Sequence, residues 1–188
     1  MTIVNALSTL AGTQKVVRDI VFLVDGSNYI GSTNLPYVRD FIINVVNQLD
    51  VRPDRVQIGL LQFAERPKIE FYLNTYQNRQ DVVNAISQLR LTGGSVLNTG
   101  AAMNHAFTTM FLPSAGSRRM QGIQQVLILI TGGPAQDEVK NVADQLALGG
   151  VLTFTVSSGQ ADAELLKSVA FVKDLCSRRF WIHPGFYY

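Results

Sequence analysis

Two stretches of the chain are almost entirely apolar and are short enough to be single strands. Residues 19–25 read DIVFLVD and residues 125–131 read QVLILIT. A strand buried on both faces gives such a continuous run, because neither of its sides meets water. Residues 151–156 (VLTFTV) form the next strand-like stretch. The pattern therefore predicts buried central strands of a sheet that is covered on both faces.

Between these strands, apolar residues recur at helical spacing. A first helix is predicted to begin near Asn34, with Pro36 in its first turn, and to end at a turn over residues 50–54. Segments 77–89, 100–111, 134–148 and 161–172 predict four more helices. Residues 55–63 and 67–73 partly alternate across a short link, which predicts an antiparallel hairpin at one sheet edge.

The predicted order of elements is β-α-β-β-α-α-β-α-β-α. Buried strands that alternate with helices are typical of a doubly wound, Rossmann-like α/β sandwich. We therefore expect a central, mostly parallel sheet with one antiparallel edge strand and helices on both faces.

Composition limits the classes of protein to consider. The chain has 188 residues, a charged fraction of 16% and a formal net charge of +2. This size suits one domain, and the low, balanced charge argues against a disordered tail or a nucleic-acid-binding protein. No apolar run approaches the roughly 20 residues of a membrane span.

Cysteine content and the N-terminus bear on the cellular compartment. Cys176 is the single cysteine, which excludes an internal disulfide framework and a CxxC zinc site. Residues 1–10 lack the basic and apolar regions of a signal peptide. We therefore expect either a cytosolic protein or a piece of a longer secreted chain.

Ligands of open α/β sheets bind outside the carboxyl ends of the strands. Three loops follow strands in this way: residues 25–29 (DGSNY), 93–99 (GGSVLNT) and 131–134 (TGGP). None of them carries the GxGxxG, GxxxxGK[ST] or GxSxG motif of nucleotide-binding proteins and serine hydrolases. We therefore predict no catalytic or cofactor-binding residues, and an enzyme using this crevice is the weakest of the alternatives.

The loops and their strands resemble the von Willebrand factor type A domain. The resemblance covers about residues 18–172 and rests on segments 22–27 (FLVDGS), 57–63 (QIGLLQF), 98–102 (NTGAA) and 127–131 (LILIT). It implies a metal-ion-dependent adhesion site. In such a site an Asp-x-Ser-x-Ser motif, a middle-loop Thr and a later Asp hold a divalent cation, usually magnesium, that takes a ligand carboxylate.

Residue by residue, the resemblance implies a degenerate site. Asp25 and Ser27 match the first two ligand positions, and the other three fall on Tyr29, Leu97 and Gly132. Tyrosine is a poor inner-shell ligand, leucine offers no oxygen, and glycine removes the second carboxylate. These five positions are therefore vestigial, and we expect no metal and no other cofactor.

Two alternatives remain at this site. Shifting the alignment by two residues would bring Ser95 or Thr99 near the cation position, although Gly132 would remain. The chain would then be a metal-dependent adhesion module that binds ligand carboxylates through a rearranged magnesium site. Otherwise Asp25 belongs to a strand-end turn and accepts backbone N–H bonds.

Within the family, segments 19–27, 51–56 and 111–114 are most similar to the A modules arrayed at the N-terminus of a collagen type VI chain. This implies a non-enzymatic, secreted interaction module of the extracellular matrix that acts in microfibril assembly and cell or matrix adhesion. Its partners would be other matrix proteins or neighbouring A domains, with no nucleic acid and no membrane insertion.

The remaining expectations concern domain limits and one surface loop. We predict an N-terminal extension at 1–17, the A domain at 18–176 and a tail of uncertain origin at 177–188, where residues 180–182 suit a sixth strand. Arg118 and Arg119 form a candidate interaction loop for acidic or sulfated partners, and the alternative is an ordinary solvated loop.

Overall fold

A computed structural model describes residues 16–158, 181–183 and 186–187 of the chain. The strands are β1 (Arg18–Asp25), β2 (Val56–Phe63), β3 (Pro67–Phe71), β4 (Gln124–Thr131), β5 (Val151–Ser158), β6 (Trp181–His183) and β7 (Phe186–Tyr187). The helices are α1 (Gly31–Asn47), α2 (Arg79–Ser87), α3 (Thr99–Thr109) and α4 (Lys140–Leu148). Two short 3-10 turns, Pro113–Ala115 and Arg119–Gln121, precede β4.

The strands form one sheet in the order β3-β2-β1-β4-β5-β7-β6. β1 pairs in parallel with β2 and β4, and β4 pairs in parallel with β5. β3 runs antiparallel to β2, β7 runs antiparallel to β5, and β6 runs antiparallel to β7. The predicted mostly parallel, doubly wound α/β sandwich is confirmed, and so is its antiparallel edge strand β3.

Consecutive residues of a strand point to opposite faces of the sheet. Because the buried strands carry apolar side chains on both faces, helices cover both. Ile20, Phe22 and Val24 of β1 lie in the apolar cluster beneath α1 and α2. Val21 and Leu23 lie in a second cluster beneath α3 and α4. Both faces of β1 are therefore dry, which explains its uninterrupted apolar sequence.

Two helix starts differ from the prediction. α1 begins at Gly31, where the N–H groups of Ile30 and Gly31 already bond to Ser27 O, rather than near Asn34. α4 begins at Lys140 rather than at residue 134. Residues 134–139 instead form a loop whose backbone and side chains bind the start of α3, as described below.

Several expectations fall outside the described residues: the helix at 161–172, Cys176, most of the segment 1–17 and most of the tail. β6 lies one residue beyond the predicted strand at 180–182 and pairs with β7. No helix within the described ranges is both long and apolar enough to cross a membrane.

Candidate functional site

The carboxyl ends of β1, β2 and β4 lie side by side at one end of the strands, and we call this region the upper rim. Parallel register brings them together, with Asp25 beside Phe63 and Val24 beside Ile130. The loops above them are joined by backbone bonds: Asn28 N donates to Gly94 O at 2.8 Å, and Gln136 N donates to Leu97 O at 2.8 Å. The three candidate loops therefore form one site.

Asp25 lies at the centre of this rim and is fully buried. Its Oδ1 accepts a hydrogen bond from Ser27 N at 2.8 Å. Its Oδ2 accepts one from Gly132 N at 2.7 Å and a longer one from Thr131 Oγ1 at 3.4 Å. Both carboxylate oxygens are thus engaged by the protein itself, as expected of a strand-end turn.

The pKa of Asp25 reflects two opposing effects. Burial raises the pKa of this carboxyl above its ordinary value of 3.8, and the hydrogen bonds from Ser27, Gly132 and Thr131 lower it. Burial is the larger effect, so the net pKa shift is upward. Backbone dipoles therefore offset only part of the cost of placing this charge out of water.

Tyr29 and Gly132 determine the shape of the rim above Asp25. The Tyr29 ring lies against Gly133, where an added Cβ atom would be 2.6 Å from Tyr29 Cγ. An added Cβ at Gly132 would be 2.9 Å from both Tyr29 O and Ile30 Cδ1. A side chain at position 132 would therefore force its neighbours to move, and a carboxylate has no room there as the backbone stands.

At the middle-loop position where the family has its ligand threonine, Leu97 has no side-chain oxygen. Leu97 is fully buried in the cluster beneath α3 and α4. Thr99 begins α3, and its buried Oγ1 has no hydrogen-bond partner among the described residues. Ser95 is exposed and accepts a weak bond from Gln136 Nε2 through its backbone oxygen at 3.4 Å. No hydrogen bond within the described ranges links Ser95 or Thr99 to Asp25.

The donor set does not fit a divalent cation. Magnesium needs near-octahedral oxygen coordination with carboxylate charge. Here the one carboxylate is bound by N–H and O–H donors, and the Ser27 hydroxyl oxygen accepts from Tyr29 N at 3.1 Å. Across the described part of the chain, no three His, Cys, Asp or Glu side chains come together as a metal site.

Arg118, predicted to belong to an interaction loop, is bound within the domain. It lies at the amino-terminal ends of the strands, opposite the upper rim. Here its Nη2 is 2.6 Å from Oδ1 of the fully buried Asp19. The same guanidinium donates to the carbonyl oxygens of Arg18, Pro53 and Arg55. Only 13% of the Arg118 side chain is exposed. This arginine therefore neutralises a buried aspartate, and its part in an interaction loop stays a prediction.

Arg119 is also engaged within the domain. Its Nε donates to Gly149 O at 2.8 Å, and its guanidinium carbon lies 5.0 Å from the centre of the Phe107 ring. These contacts join the turn before β4 to α3 and to the end of α4. Both arginines thus make contacts within the domain, and binding of acidic or sulfated partners by this loop stays a prediction.

Two structural residues escaped the sequence interpretation. Asp19 accepts bonds from Arg118, Gln57 and Gln125, and its only sequence signal is a charge at the start of an apolar run. Asp137 falls in the first turn of the helix predicted at 134–148. Instead its carboxylate accepts from Gly100 N and Ala101 N, both at 2.8 Å, and so caps α3.

The family model for the von Willebrand factor type A domain matches residues 19–183. The chain is 38% identical over 158 residues to mouse collagen alpha-1(XX), covering 84% of this chain and 12% of that one. It is 36% identical over 168 residues to human collagen alpha-6(VI), covering 89% and 7% respectively. The chain thus spans only a small part of these curated relatives.

A solved structure with a similar fold is proximal thread matrix protein 1 from the mussel byssus. The TM-score is 0.79 at 22% sequence identity, covering 85% of this chain and 43% of that one. That structure has a zinc-occupied MIDAS motif, that is, a metal-ion-dependent adhesion site. At this identity the likeness concerns the fold alone, so the metal site has to be judged from the residues present here.

Proposed function

Since the chain belongs to the von Willebrand factor type A family, we propose that it is a non-enzymatic extracellular-matrix module that binds other proteins without a metal ion. Relatives that support this role are the collagens of types VI, XII and XX and mouse matrilin-2, which is 31% identical over 153 residues. The proposed setting is a longer secreted chain whose A domain contacts matrix proteins or neighbouring A domains and contributes to assembly and adhesion.

The proposal that binding needs no metal ion rests on the hydrogen bonds that the Asp25 carboxylate accepts. In this chain, Gly132 N–H lies 2.7 Å from Asp25 Oδ2, at the position after β4 where the family's second ligand carboxylate belongs. A cation would have to compete with this N–H and with Ser27 N, and a second anionic ligand is missing. Water can complete a magnesium shell but does not supply negative charge.

The absence of enzymatic activity is supported by the same rim. Ser27 is the only hydroxyl of the DGSNY loop beside Asp25 apart from the Tyr29 phenol, and its oxygen already accepts from Tyr29 N. Within the described residues, no hydrogen bond joins Ser27 to an imidazole, so a general base for a nucleophilic serine is not in place.

The domain limits are part of the proposal. The family match reaches residue 183, and β7 pairs with Ser157 and Ser158 of β5. These findings support treating the strands within 177–188 as part of the A domain, whereas 1–17 stays a proposed extension.

Thermal unfolding with and without divalent cations tests the proposal. We expect the melting temperature to be the same in EDTA and in millimolar Mg²⁺ or Mn²⁺, for the wild-type chain and for Asp25→Asn alike. A ligand present at 100 times its Kd would add about 2.7 kcal/mol of stability, which is several degrees for a domain of this size.

The control is the comparison of the wild-type chain with Asp25→Asn. A rise of several degrees in the wild type that Asp25→Asn abolishes would contradict the proposal and support the rearranged magnesium site. A rise that both proteins share would indicate cation binding elsewhere, and the rim would still be metal-free.

A further inference from the structure

Two arginines at the amino-terminal ends of β1 and β2 have no carboxylate partner among the described residues. Arg18 begins β1, Arg55 directly precedes β2, and Arg18 N donates to Arg55 O at 3.1 Å. None of the four ion pairs in the described part of the chain includes either side chain. Two cations without a counter-ion therefore start from neighbouring backbone positions.

Both guanidinium groups are partly removed from water. Each arginine is half-buried, and its Nε–H group is buried without an acceptor. Arg18 Nη1 donates to the adjacent Val17 O at 2.8 Å, whereas the Arg55 side chain donates to no described residue. Nε is the one buried, unpartnered nitrogen of Arg55, so its two Nη atoms remain open to solvent. An acceptor from outside the domain can therefore reach this cation.

The buried Asp19 nearby is already saturated. Its two oxygens accept from Arg118 and from two glutamines. The Arg118 guanidinium also donates to Arg18 O at 3.0 Å and to Arg55 O at 2.8 Å, which fixes the backbone from which both side chains start. Three arginines thus lie around one carboxylate, and positive charge is left over.

The other carboxylates at this end lie at the surface. Asp50 is hydrogen-bonded to Arg52, which lowers the pKa of Asp50, and Arg55 adds to this lowering through its charge alone. Asp54 is exposed and forms no ion pair with a described residue. Both aspartates would repel a partner with many adjacent anions, such as a sulfated glycan. A single carboxylate with a basic neighbour is complementary to this surface.

We propose that Arg18 and Arg55 bind an aspartate or glutamate side chain of a partner protein. A guanidinium presents its N–H donors in a planar fork that matches the two oxygens of a carboxylate. A basic residue beside that carboxylate would contact Asp54. The proposal rests on the proposed protein-binding function and specifies one of its contacts.

Partial burial of the two arginines favours this contact energetically. A half-buried cation has already lost part of its hydration, and water screens its attraction to an anion less than it does at an exposed site. A buried N–H donor without an acceptor is unfavourable in itself, so an acceptor brought close to it stabilises the complex. Arg66, which is exposed and lies at the opposite end of β2, has neither property.

The test is a titration of the ¹⁵N-labelled chain with acetyl-glutamyl-lysine amide in EDTA at constant ionic strength, followed by the side-chain Nε–H signals. We expect saturable shifts at Arg18 and Arg55, and at least fivefold weaker binding for Arg55→Gln. Asp54→Asn should also bind more weakly, because the lysine of the probe loses its partner. Arg66→Gln is the matched control and should bind as the wild type does.

A second variant and two further probes keep the test decisive. Arg18→Gln should also weaken binding at least fivefold, and the melting temperature shows that each variant is folded. Linear shifts without saturation, equal binding by both arginine variants, or equal binding of acetyl-glutaminyl-lysine amide would overturn the proposal. Tighter binding of inorganic sulfate at the same two side chains would overturn it in favour of a sulfated partner. Because EDTA is present throughout, a cation effect on stability would contradict the proposed function without changing this result.

Discussion

At position 132 the lack of a side chain has two consequences for the upper rim. It removes a carboxylate from the position where the family has one, and it lets the backbone N–H approach Asp25 Oδ2 to 2.7 Å. The space that a side chain would need is occupied by Tyr29 O and Ile30 Cδ1. The Asp25 charge is therefore balanced by backbone dipoles and a hydroxyl, which is why a single residue changes the chemistry of the whole rim.

The buried Asp25 predicts a specific pH dependence of stability. Burial raises its folded pKa above 3.8, so between 3.8 and the folded pKa the folded state holds more protons than the unfolded state. Stability from this group is therefore full below 3.8 and is lost as the pH rises through the folded pKa. We expect Asp25→Asn to gain stability relative to the wild type across that rise, measured by urea unfolding from pH 3.5 to 7.

Asp50→Asn is the control of opposite sign. Hydrogen bonding to Arg52 lowers the pKa of Asp50, so its contribution is present above 3.8 and is lost as the pH falls through the lowered pKa. The relative stability of Asp50→Asn should therefore not improve as the pH rises. An Asp25→Asn profile that runs parallel to it would show that burial does not control the Asp25 pKa.

Among the elements, α3 begins without a side-chain cap from its own preceding residue, Asn98. The cap comes from Asp137 in the loop before α4, which binds Gly100 N and Ala101 N. The fit is close, because an added Cβ at Gly100 would be 1.9 Å from Glu138 O. Residues 134–139 therefore connect two helices instead of lengthening α4.

Removing this cap should destabilise the domain measurably. We expect Asp137→Ala to lower the free energy of unfolding by about 1 kcal/mol, within the usual range of about 0.5–2 kcal/mol for a lost N-terminal cap. Amide exchange at Gly100 and Ala101 should become faster, because both N–H groups lose their acceptor.

Asp144→Ala provides the matched comparison on α4. Asp144 forms an exposed i,i+4 pair with Lys140, and such a pair should contribute less to stability than a helix cap. Equal losses of stability for the two variants, or unchanged exchange at Gly100 in Asp137→Ala, would show that Asp137 does not act as a cap.

On the scale of the whole molecule, buried carboxylates are stabilised differently at the two ends of the strands. At the upper rim Asp25 accepts hydrogen bonds from neutral donors, whereas at the amino-terminal ends Asp19 is paired with Arg118. Gln57 and Gln125 complete the second network from β2 and β4. This network holds the starts of three strands together, and among the described residues Arg118 is the one cationic side chain bound to Asp19.

Arg118→Ala should therefore be one of the most destabilising substitutions in the chain. Removing one partner of a buried pair costs about 3–5 kcal/mol, because the remaining charge stays out of water. Arg52→Ala is the control, since its pair with Asp50 is about half exposed and should contribute little to stability. Urea unfolding of both variants measures the difference, and similar losses would contradict a structural role for Arg118.

The sequence alone was sufficient for the architecture. The apolar runs of β1 and β4 and the helical spacing of α1, α2 and α3 predicted these elements to within a few residues, because burial imposes local periodicity. The family was also predicted from the sequence, since its motifs lie in continuous segments. The predicted start of α4 at residue 134 was wrong. Residues 134–139 bind the start of α3, about 37 positions away, and local sequence patterns do not reveal such bonds.

At the candidate site, the sequence determined which groups are missing: a carboxylate at Gly132, a hydroxyl at Leu97 and a small side chain at Tyr29. Only the tertiary structure decided what replaces them, because Asp25 and Gly132 are 107 positions apart and meet through parallel pairing. The same holds for Arg118, whose partner Asp19 is 99 positions away. Whether a charge is free or neutralised depends on such long-range packing, which no local pattern of residues encodes.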